Sequence, residues 1–329
     1  MKKFFFLSLI AVSLLSSAYA DKIRVNNNTG VSADFTSLSV AIDSASAGDT
    51  IYLEPSAVSY GNITLTKQLY IFGNGFHLTS NPNTQANPSP SMVEGFTVNN
   101  GAAGTLLTGI QFNTYLSINT NNITIKRNKI VNQGLYLGNN ASNILILQNY
   151  LNATYGGSPS LNVPTGCSNI LVHNNIIIRG SGYDAIYNTG TSGLQVSHNV
   201  IVGDVAVIQS TFTNNIMKSG TLTGSSNFYN RNVCNATQFP DDGNNLVNVN
   251  MQTVFDTTLT SVEAQYTLAA GSPAIGYGVG GADCGIFGGP DPYNFSGIPS
   301  IPAIFYFSAP SSGSESTGLP VHIKIKSHK

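Results

Sequence analysis

Charged side chains are few in this sequence, and three of them stand where they could move protons. Arg179 and Asp184 flank a Gly-Ser-Gly-Tyr turn, and Lys218 follows a later apolar run. An Arg or Lys base and a carboxyl group can together remove and return a proton at one reacting centre. We therefore take Arg179, Asp184 and Lys218 as catalytic candidates. The alternative is that Arg179 and Asp184 are solvated loop charges or an exposed ion pair, which would contribute little to stability.

A second group of residues could bind sugars. Tyr115 and Tyr136 are predicted to point outward from one sheet, and a tyrosine ring offers an apolar face together with a hydroxyl group. The carbohydrate-binding candidates are Tyr115, Tyr136, Asn162, Tyr155 and Tyr183. The competing interpretation is that these tyrosines pack beneath a covering loop at residues 152–159.

The residue types that bind metals or form disulfides show no recognisable spacing. Cys167, Cys234 and Cys284 are an odd number without a CxxC pair, so at most one disulfide could form. His173 and His198 fall at different positions of the repeat described below, which argues against a metal pair. We predict no metal site and no cofactor.

Composition and the N-terminal segment narrow the classes of function. Only 9% of the residues are charged and the formal net charge is -1, so the basic surface required for nucleic-acid binding is missing. Lys2, Lys3, the apolar run at 4–15 and a closing Ala-Tyr-Ala predict a signal peptide at residues 1–20, of bacterial type. No later segment is apolar over the length of a membrane span, so no transmembrane segment is expected after removal of the signal. We expect a secreted or cell-surface protein, extracellular or periplasmic.

An internal repeat provides the elements that must position these residues. Segment 122–130 recurs at 143–151, 169–177 and 193–201, and one asparagine recurs with it at steps of 21, 26 and 24 residues. Apolar residues alternate within each copy, and no helical pattern separates the copies, which predicts a β-solenoid. The recurring asparagines are predicted to stack at one turn as a hydrogen-bonded ladder. They are Asn128, Asn149, Asn175 and Asn199.

A second strand precedes each copy at a constant spacing. This spacing predicts an inward row of Leu116, Leu137, Val163 and Tyr187. Because side chains alternate along a strand, the adjacent outward row is predicted to be Tyr115, Tyr136, Asn162 and Ile186. Asn74 and Asn215 are predicted to extend the asparagine ladder at its two ends.

Four parts are predicted along the chain. They are a signal peptide at 1–20, an N-terminal cap with a short amphipathic helix at 21–50, a parallel β-helix of roughly ten coils at 51–289, and a Pro/Ser/Gly-rich tail at 290–329. The cap is expected to cover the strand edges that an open solenoid end exposes. Two strands are predicted in the tail, at 304–307 and 321–326. We expect them to dock on the solenoid as a C-terminal cap, the alternatives being its side or a partner.

Short segments near the start of the mature region carry a family resemblance. They are Asp34–Leu38, Ala41–Asp43, Ala47–Leu53 and Ile63–Leu65. Together with the repeats, they resemble right-handed parallel β-helix proteins of the pectin-lyase-like superfamily. The block Asp283–Pro290 resembles the closing segment of β-helix repeat proteins secreted by Bacteroidota-type bacteria. The resemblance implies an all-β fold, a single-stranded right-handed parallel β-helix with an N-terminal capping helix.

The resemblance leaves two classes of function open, because the superfamily contains polysaccharide-degrading enzymes and secreted proteins without demonstrated catalysis. The clustered aspartates, the His motif and the Arg-x-Lys motif typical of polygalacturonases do not occur here. We therefore expect a non-catalytic protein that presents a structural or glycan-binding surface to an extracellular polysaccharide or a cell-surface glycan. The alternative is a polysaccharide lyase or glycoside hydrolase acting on an extracellular, pectin-like polysaccharide.

Overall fold

Two long parallel sheets curl around a common apolar core in this protein. The computed structural model describes residues 20–180, 182–188, 190, 193–316 and 318–327. The predicted signal peptide, apart from its last residue, lies outside this part of the chain. Within the described residues, no helix is both long and apolar enough to cross a membrane.

Short strands dominate the chain. The first thirteen are β1 (Lys22–Val25), β2 (Thr50–Leu53), β3 (Ile63–Leu65), β4 (Tyr70–Phe72), β5 (Ser91–Val98), β6 (Leu106–Thr108), β7 (Ile110–Ile118), β8 (Ile123–Lys126), β9 (Lys129–Asn132), β10 (Gly134–Leu137), β11 (Ser142–Leu147), β12 (Tyr150–Ala153) and β13 (Leu161–Val163). The others are β14 (Ser168–His173), β15 (Ile176–Arg179), β16 (Asp184–Asn188), β17 (Leu194–Ser197), β18 (Val200–Val202), β19 (Asp204–Ala206), β20 (Thr211–Thr213), β21 (Ile216–Ser219), β22 (Leu222–Thr223), β23 (Phe228–Asn230), β24 (Val233–Cys234), β25 (Pro302–Ser308) and β26 (His322–Ser327). The helices are α1 (Leu38–Ser44) and α2 (Met251–Val254), with short 3-10 turns at Ala264–Tyr266, Val279–Gly281 and Phe295–Gly297.

Strands of three kinds alternate along the chain, and each kind stacks on its own face. Face 1 is the ten-stranded sheet β1-β2-β4-β6-β8-β11-β14-β17-β20-β23. Face 2 contains β9, β12, β15, β18, β21 and β24, and face 3 contains β10, β13, β16, β19 and β22. Faces 2 and 3 join through β7, whose first half pairs with β9 and whose second half pairs with β10. Every described pairing in these sheets is parallel, so the architecture is solenoid-like.

Alternation along the strands fills the interior with aliphatic rows. Ile123 of β8 pairs with Ile144 of β11, which pairs with Ile170 of β14 and through it with Leu194 of β17. All four side chains are buried. Burying one such side chain stabilises the fold by about 1.5–3 kcal/mol relative to leaving it exposed, so these rows are the main source of stability.

Helix α1 lies against the first strands of the stack. It buries Leu38, Ala41 and Ile42, which recur at helical spacing on one side of the helix. The Nζ of Lys67 donates to the carbonyl of Asp43 at 3.1 Å and to that of Ala45 at 2.8 Å. A cation on the last carbonyls of a helix complements the helix dipole, so Lys67 fixes the end of α1.

An asparagine ladder forms the turn from face 1 to face 2. The backbone N–H of Asn128 donates to the Oδ1 of Asn149 at 2.9 Å, and Asn149 and Asn175 donate in the same way to the next asparagine, both at 2.8 Å. Beyond Asn199 the same bonds reach Asn215, Asn232 and Asn245. These side chains are buried, so the ladder satisfies polar groups that could not reach water.

Asn74 is not a member of this ladder. Its Nδ2 donates to the carbonyls of Asn87 and Ser89, both at 2.9 Å, and so fixes the loop between β4 and β5. The first ladder asparagine, Asn128, instead accepts from the backbone N–H of Ile110 at 3.0 Å. The repeat spacing alone could not distinguish these two uses of asparagine.

The register of face 3 differs from the predicted one at β7. Leu116 pairs with Leu135, and Leu137 pairs with Ile118. The predicted pairing of Leu116 with Leu137 is therefore wrong by two residues. This shift keeps the same side chains inside, because side chains alternate with period two, which is why the apolar pattern did not reveal it.

The register also differs at β16, where the predicted orientations of Ile186 and Tyr187 are wrong. The pairing of β16 with β19 shifts between Asp184 and Ile186, which marks a bulge. A bulge adds one residue to a strand and reverses the facing of those that follow. As a result Ile186 is buried, and Tyr187 is 37% exposed.

The chain beyond β24 runs back over the outer side of face 2. The residues that follow five of the ladder asparagines point outward from this face, and they are Tyr150, Ile176, Val200, Ile216 and Val233. They are buried in a second apolar cluster with Phe255, Tyr266, Cys284 and Tyr293, among others. The last strand of the large sheets ends at Cys234. Residues 246–300 form this covering segment, although the region up to residue 289 was predicted to consist of further coils.

Strands β25 and β26 form a separate antiparallel hairpin. The N–H of Ala86 donates to the carbonyl of Ile304 at 2.7 Å, and Leu78, Ile298 and Ala303 form a small buried cluster. The hairpin thus lies beside the loop between β4 and β5, near the N-terminal end of the stack. It therefore does not cap the C-terminal end of the solenoid as predicted, because a strand pattern does not show how far the preceding segment travels.

Candidate functional site

Face 3 carries a row of polar and aromatic side chains on its outer side. Ser117, Tyr136, Asn162 and Tyr187 pair in succession from β7 to β16, and the row ends at Ala206 of β19. Parallel strands lie about 4.8 Å apart, so Tyr136 and Tyr187 stand roughly 10 Å apart with the Asn162 amide between them. An extended ligand that lies along this row could contact both tyrosine rings and form hydrogen bonds with the amide between them.

Two further tyrosines project at the corner between faces 2 and 3. Tyr155 is 62% exposed and Tyr183 is 46% exposed. Arg179 holds both of them in place, because its guanidinium donates to the carbonyls of Tyr155 and Gly156 and its Cζ lies 4.5 Å from the centre of the Tyr183 ring. The corner therefore adds two exposed rings next to the row on face 3.

Arg179 is a buried structural residue of this corner. It is 5% exposed, and its Nε donates to the carbonyl of Ser158 at 2.7 Å. The ion pairs found among the described residues do not include one between Arg179 and Asp184. The interpretation of Arg179 and Asp184 as an exposed ion pair is therefore wrong.

Asp184 lies beside a second carboxylate. It pairs in register with Asp204 on the next strand of face 3. Burial, followed by the negative charge of Asp204, raises the pKa of Asp184. Asp204 accepts from Thr221 through its Oδ1, at 2.7 Å from the N–H and 2.9 Å from the hydroxyl. The two carboxyl groups thus occupy different environments on one open surface.

Lys218 lies on face 2, apart from this surface. Its Nζ is 5.5 Å from the centre of the Phe255 ring and 5.1 Å from that of Tyr266. Burial lowers the pKa of Lys218. The described contacts of Arg179, Asp184 and Lys218 do not bring the three candidates together into one catalytic group.

Tyr115 belongs to a different row from Tyr136. It pairs with Gly134 on one side and Gly95 on the other. A Cβ on Gly95 would lie 2.5 Å from the Cε1 of Tyr115, so the ring lies directly on that glycine. The predicted stripe of Tyr115 and Tyr136 is thus replaced by the row of Tyr136, Asn162 and Tyr187.

His173 and His198 meet under the covering segment. Their ring centres are 5.0 Å apart, and the Nε2 of His198 lies 3.0 Å from the Nδ2 of Asn214. Burial and then the neighbouring His173 lower the pKa of His198 to about 4. The described residues contain no group of three or more His, Cys, Asp or Glu that could hold a metal ion.

The three cysteines are buried and free, and burial raises the pKa of Cys284 to about 12.

Glu263 is a buried carboxylate that the sequence analysis did not single out. Its Oε1 accepts from the Tyr293 hydroxyl at 2.6 Å, and both of its oxygens lie 3.1 Å from the N–H of Ser296. Its Oε2 accepts from the Nδ2 of Asn81 at 3.2 Å and lies 3.6 Å from the Nδ1 of His77. A single Glu in a loop gives no signal of this kind, because its partners come from distant segments.

Comparison with known proteins finds no family model that matches the chain, and no match among curated proteins or solved structures. The fold and the open face define a mostly β, solenoid-like protein with a tyrosine-bearing surface.

Proposed function

We propose that this protein is a secreted or cell-surface glycan-binding protein built on a single-stranded right-handed parallel β-helix. Parallel strands joined by crossovers are right-handed in nearly all proteins, which supports this handedness. The observation that carries the functional proposal is the row of Tyr136, Asn162 and Tyr187 on the open side of face 3. Its ligand is an extracellular polysaccharide or a cell-surface glycan.

The chemistry of this face fits sugars better than it fits charged polymers. A sugar ring has apolar C–H faces, which pack on tyrosine rings, and hydroxyl groups, which exchange hydrogen bonds with an amide. Arg179 is engaged by backbone carbonyls, so it stabilises the corner instead of adding a free cation to the surface. Tyr155 and Tyr183 extend the aromatic surface beyond the row.

Glycan-array screening of the mature protein, followed by calorimetry on the best ligand, tests this proposal. Replacing Tyr187 by Ala removes one ring and should weaken binding about 5- to 10-fold, which corresponds to about 1–1.4 kcal/mol. Tyr306→Ala is the matched control, because Tyr306 is 42% exposed on the hairpin. An array with no binding, or equal losses in both variants, would contradict the proposal.

Asp184 and Asp204 favour a second candidate function, hydrolysis of a glycosidic bond. Retaining glycosidases need two carboxyl groups about 5–5.5 Å apart, one of them with a raised pKa. Adjacent parallel strands give a similar spacing, and the pKa of Asp184 is raised. An assay for new reducing ends over neutral and acidic polysaccharides, with Asp184→Asn as the control, separates the candidates. Reducing ends that appear with the parent and disappear with Asp184→Asn would favour the enzyme.

A further inference from the structure

We propose that the hairpin of β25 and β26 docks on an anionic lipid surface through its apolar side. The inference does not depend on the tyrosine surface of face 3, because residues of the C-terminal tail carry it. It rests on the two different sides of the hairpin, on the charge of the tail and on the free edge of β26.

One side of the hairpin is apolar and exposed. Ile304 pairs with Ile325 and Phe307 pairs with Ile323, so these four side chains adjoin on the same side of the two strands. Phe307 is 58% exposed and Ile325 is 62% exposed. Among the described residues, seven of the 19 exposed large apolar or aromatic side chains lie within residues 304–325. Exposed apolar side chains that adjoin in this way mark a surface that contacts a protein or a membrane.

The opposite side of the hairpin is basic. His322, Lys324 and Lys326 alternate with the apolar residues of β26, so they point to the other side. The Nζ of Lys324 lies 5.2 Å from the centre of the Tyr306 ring, and neither strand of the hairpin contains Asp or Glu. Amphipathic helices that lie in the interface of an anionic membrane have the same pattern, with lysines on one side and large apolar residues on the other. The hairpin presents this pattern on two strands.

The charge of the tail is opposite to that of the rest of the chain. Residues 301–329 contain three lysines and one acidic residue, Glu315, which gives a formal net charge of +2. Residues 21–300 contain nine Lys or Arg and 14 Asp or Glu, which gives -5. An anionic surface therefore attracts the tail and repels the rest of the chain. This asymmetry turns the hairpin, and no other face, toward the lipid.

The same lysines disfavour a second copy of the chain as the occupant. Among the described strands β26 pairs only with β25, so its other edge is free. A second β26 added at this edge would bring Lys324 and Lys326 of both copies onto one face, where like charges repel. Lysines on an edge strand commonly prevent such pairing. The charges that oppose a second strand attract lipid phosphates, so a lipid surface fits both sides of the hairpin.

Cosedimentation with lipid vesicles tests the inference. Vesicles of phosphatidylcholine with about 30% phosphatidylglycerol present a negative surface, and vesicles of phosphatidylcholine alone do not. We expect the mature protein to bind the anionic vesicles about 10-fold more strongly than the neutral ones, because each lysine near a negative surface strengthens binding several-fold. Added salt should reduce this difference, since it screens the lysines.

Phe307→Ser should weaken binding to the anionic vesicles about 10-fold, because it removes a large apolar side chain from the docking side. The double variant Lys324→Gln, Lys326→Gln should lose the preference for anionic vesicles. Phe228→Ser is the matched control, because Phe228 is 60% exposed on face 1, and this variant should bind like the parent. Should Phe307→Ser fail to fold, Ile325→Ser on the partner strand takes its place, with the same expected loss.

Three outcomes with vesicles would overturn the inference. They are the absence of binding to anionic vesicles, equal binding to both kinds of vesicle, and unchanged binding by Phe307→Ser. Size-exclusion chromatography without lipid provides a fourth, since a parent dimer that Phe307→Ser converts to a monomer, with no vesicle binding, would assign the apolar side to a second copy. The vesicles carry no sugar, so this proposal and the glycan surface of face 3 fail separately.

Discussion

The hydroxyl of Tyr293 donates to the Oε1 of Glu263 at 2.6 Å, on the outer side of face 2. The same carboxylate accepts from the N–H of Ser296 and from the side chain of Asn81. Three segments distant in sequence therefore meet on one buried anion. A buried charge is tolerated only where hydrogen bonds replace water, so this contact makes the covering segment an integral part of the fold.

Tyr293→Phe should destabilise the protein by removing one donor from Glu263. The phenol is a reliable donor at neutral pH, because burial and the charge of Glu263 raise the pKa of Tyr293 well above its usual value. Loss of a hydrogen bond to a charged group costs about 1.5–3 kcal/mol, and urea unfolding at neutral pH measures it. Tyr306→Phe on the exposed hairpin is the control, and equal midpoints for the two variants would contradict this role of Glu263.

Replacing Asn149 or Asn175 by Ala should lower the free energy of unfolding by roughly 1–3 kcal/mol each, because the partners of the lost amide remain buried. The Nδ2 of Asn149 donates to the carbonyl of Ile125, and that of Asn175 to the carbonyl of Ile146, both at 2.8 Å. Asn139→Ala, at an exposed position, should stay within about 0.5 kcal/mol of the parent. Denaturant melts of all three variants check this. Three coincident curves would show that the ladder bonds do not contribute.

The interior of the solenoid can be predicted from the sequence because the same type of side chain recurs at the same place in each repeat. Ile123, Ile144 and Ile170 align by pattern and pair in register in the structure. The side of the sheet on which Tyr187 lies cannot be predicted in this way, because the bulge before it adds one residue without changing the residue types nearby. Local pattern therefore predicts the core better than it predicts the exposed surface.

The sequence contains a sign that the outer side of face 2 is covered, which the alternation of apolar residues with period two does not show. Residues 176–178 and 200–202 are unbroken apolar runs, which are typical of strands buried on both sides. Ile176 and Val200 are indeed buried in the outer cluster. The identity of the covering segment could not be read in the same way, because its contacts join residues about a hundred positions apart, such as Asn174 and Ile286.

Two truncations should separate the roles of the hairpin and the covering segment. Removing residues 301–329 deletes the largely exposed hairpin and should leave a folded protein that does not aggregate. Removing residues 246–329 also uncovers Ile176, Val200 and Ile216. Each uncovered side chain forfeits about 1.5–3 kcal/mol of burial, so this form should bind a hydrophobic dye and aggregate. Dye fluorescence and size-exclusion chromatography check both forms, and a long truncation that behaves like the short one would refute the covering role.

Stability should fall on acidification through His198. Folding lowers the pKa of this residue from 6.5 to about 4, so between these values the unfolded chain binds the additional proton. The contribution of His198 is therefore fully present above pH 6.5, is lost progressively down to about pH 4, and does not change further below that. Its size is up to roughly 3 kcal/mol, from 1.36 kcal/mol per pKa unit.

His198→Gln isolates this effect, because Gln148 occupies the equivalent position of the repeat, before a ladder asparagine and with the same left-handed backbone. Burial also lowers the pKa of His173, so this neighbour retains part of the acid sensitivity in the variant. Urea unfolding at half-unit steps from pH 7 to 4 should therefore show a steeper loss of stability in the parent than in His198→Gln. The difference between the two curves reports His198 together with its electrostatic coupling to His173, since the other titrating groups are common to both proteins. Parallel curves over this range would mean that His198 remains as easily protonated in the folded protein as in the unfolded chain, and that the covering segment does not shield it.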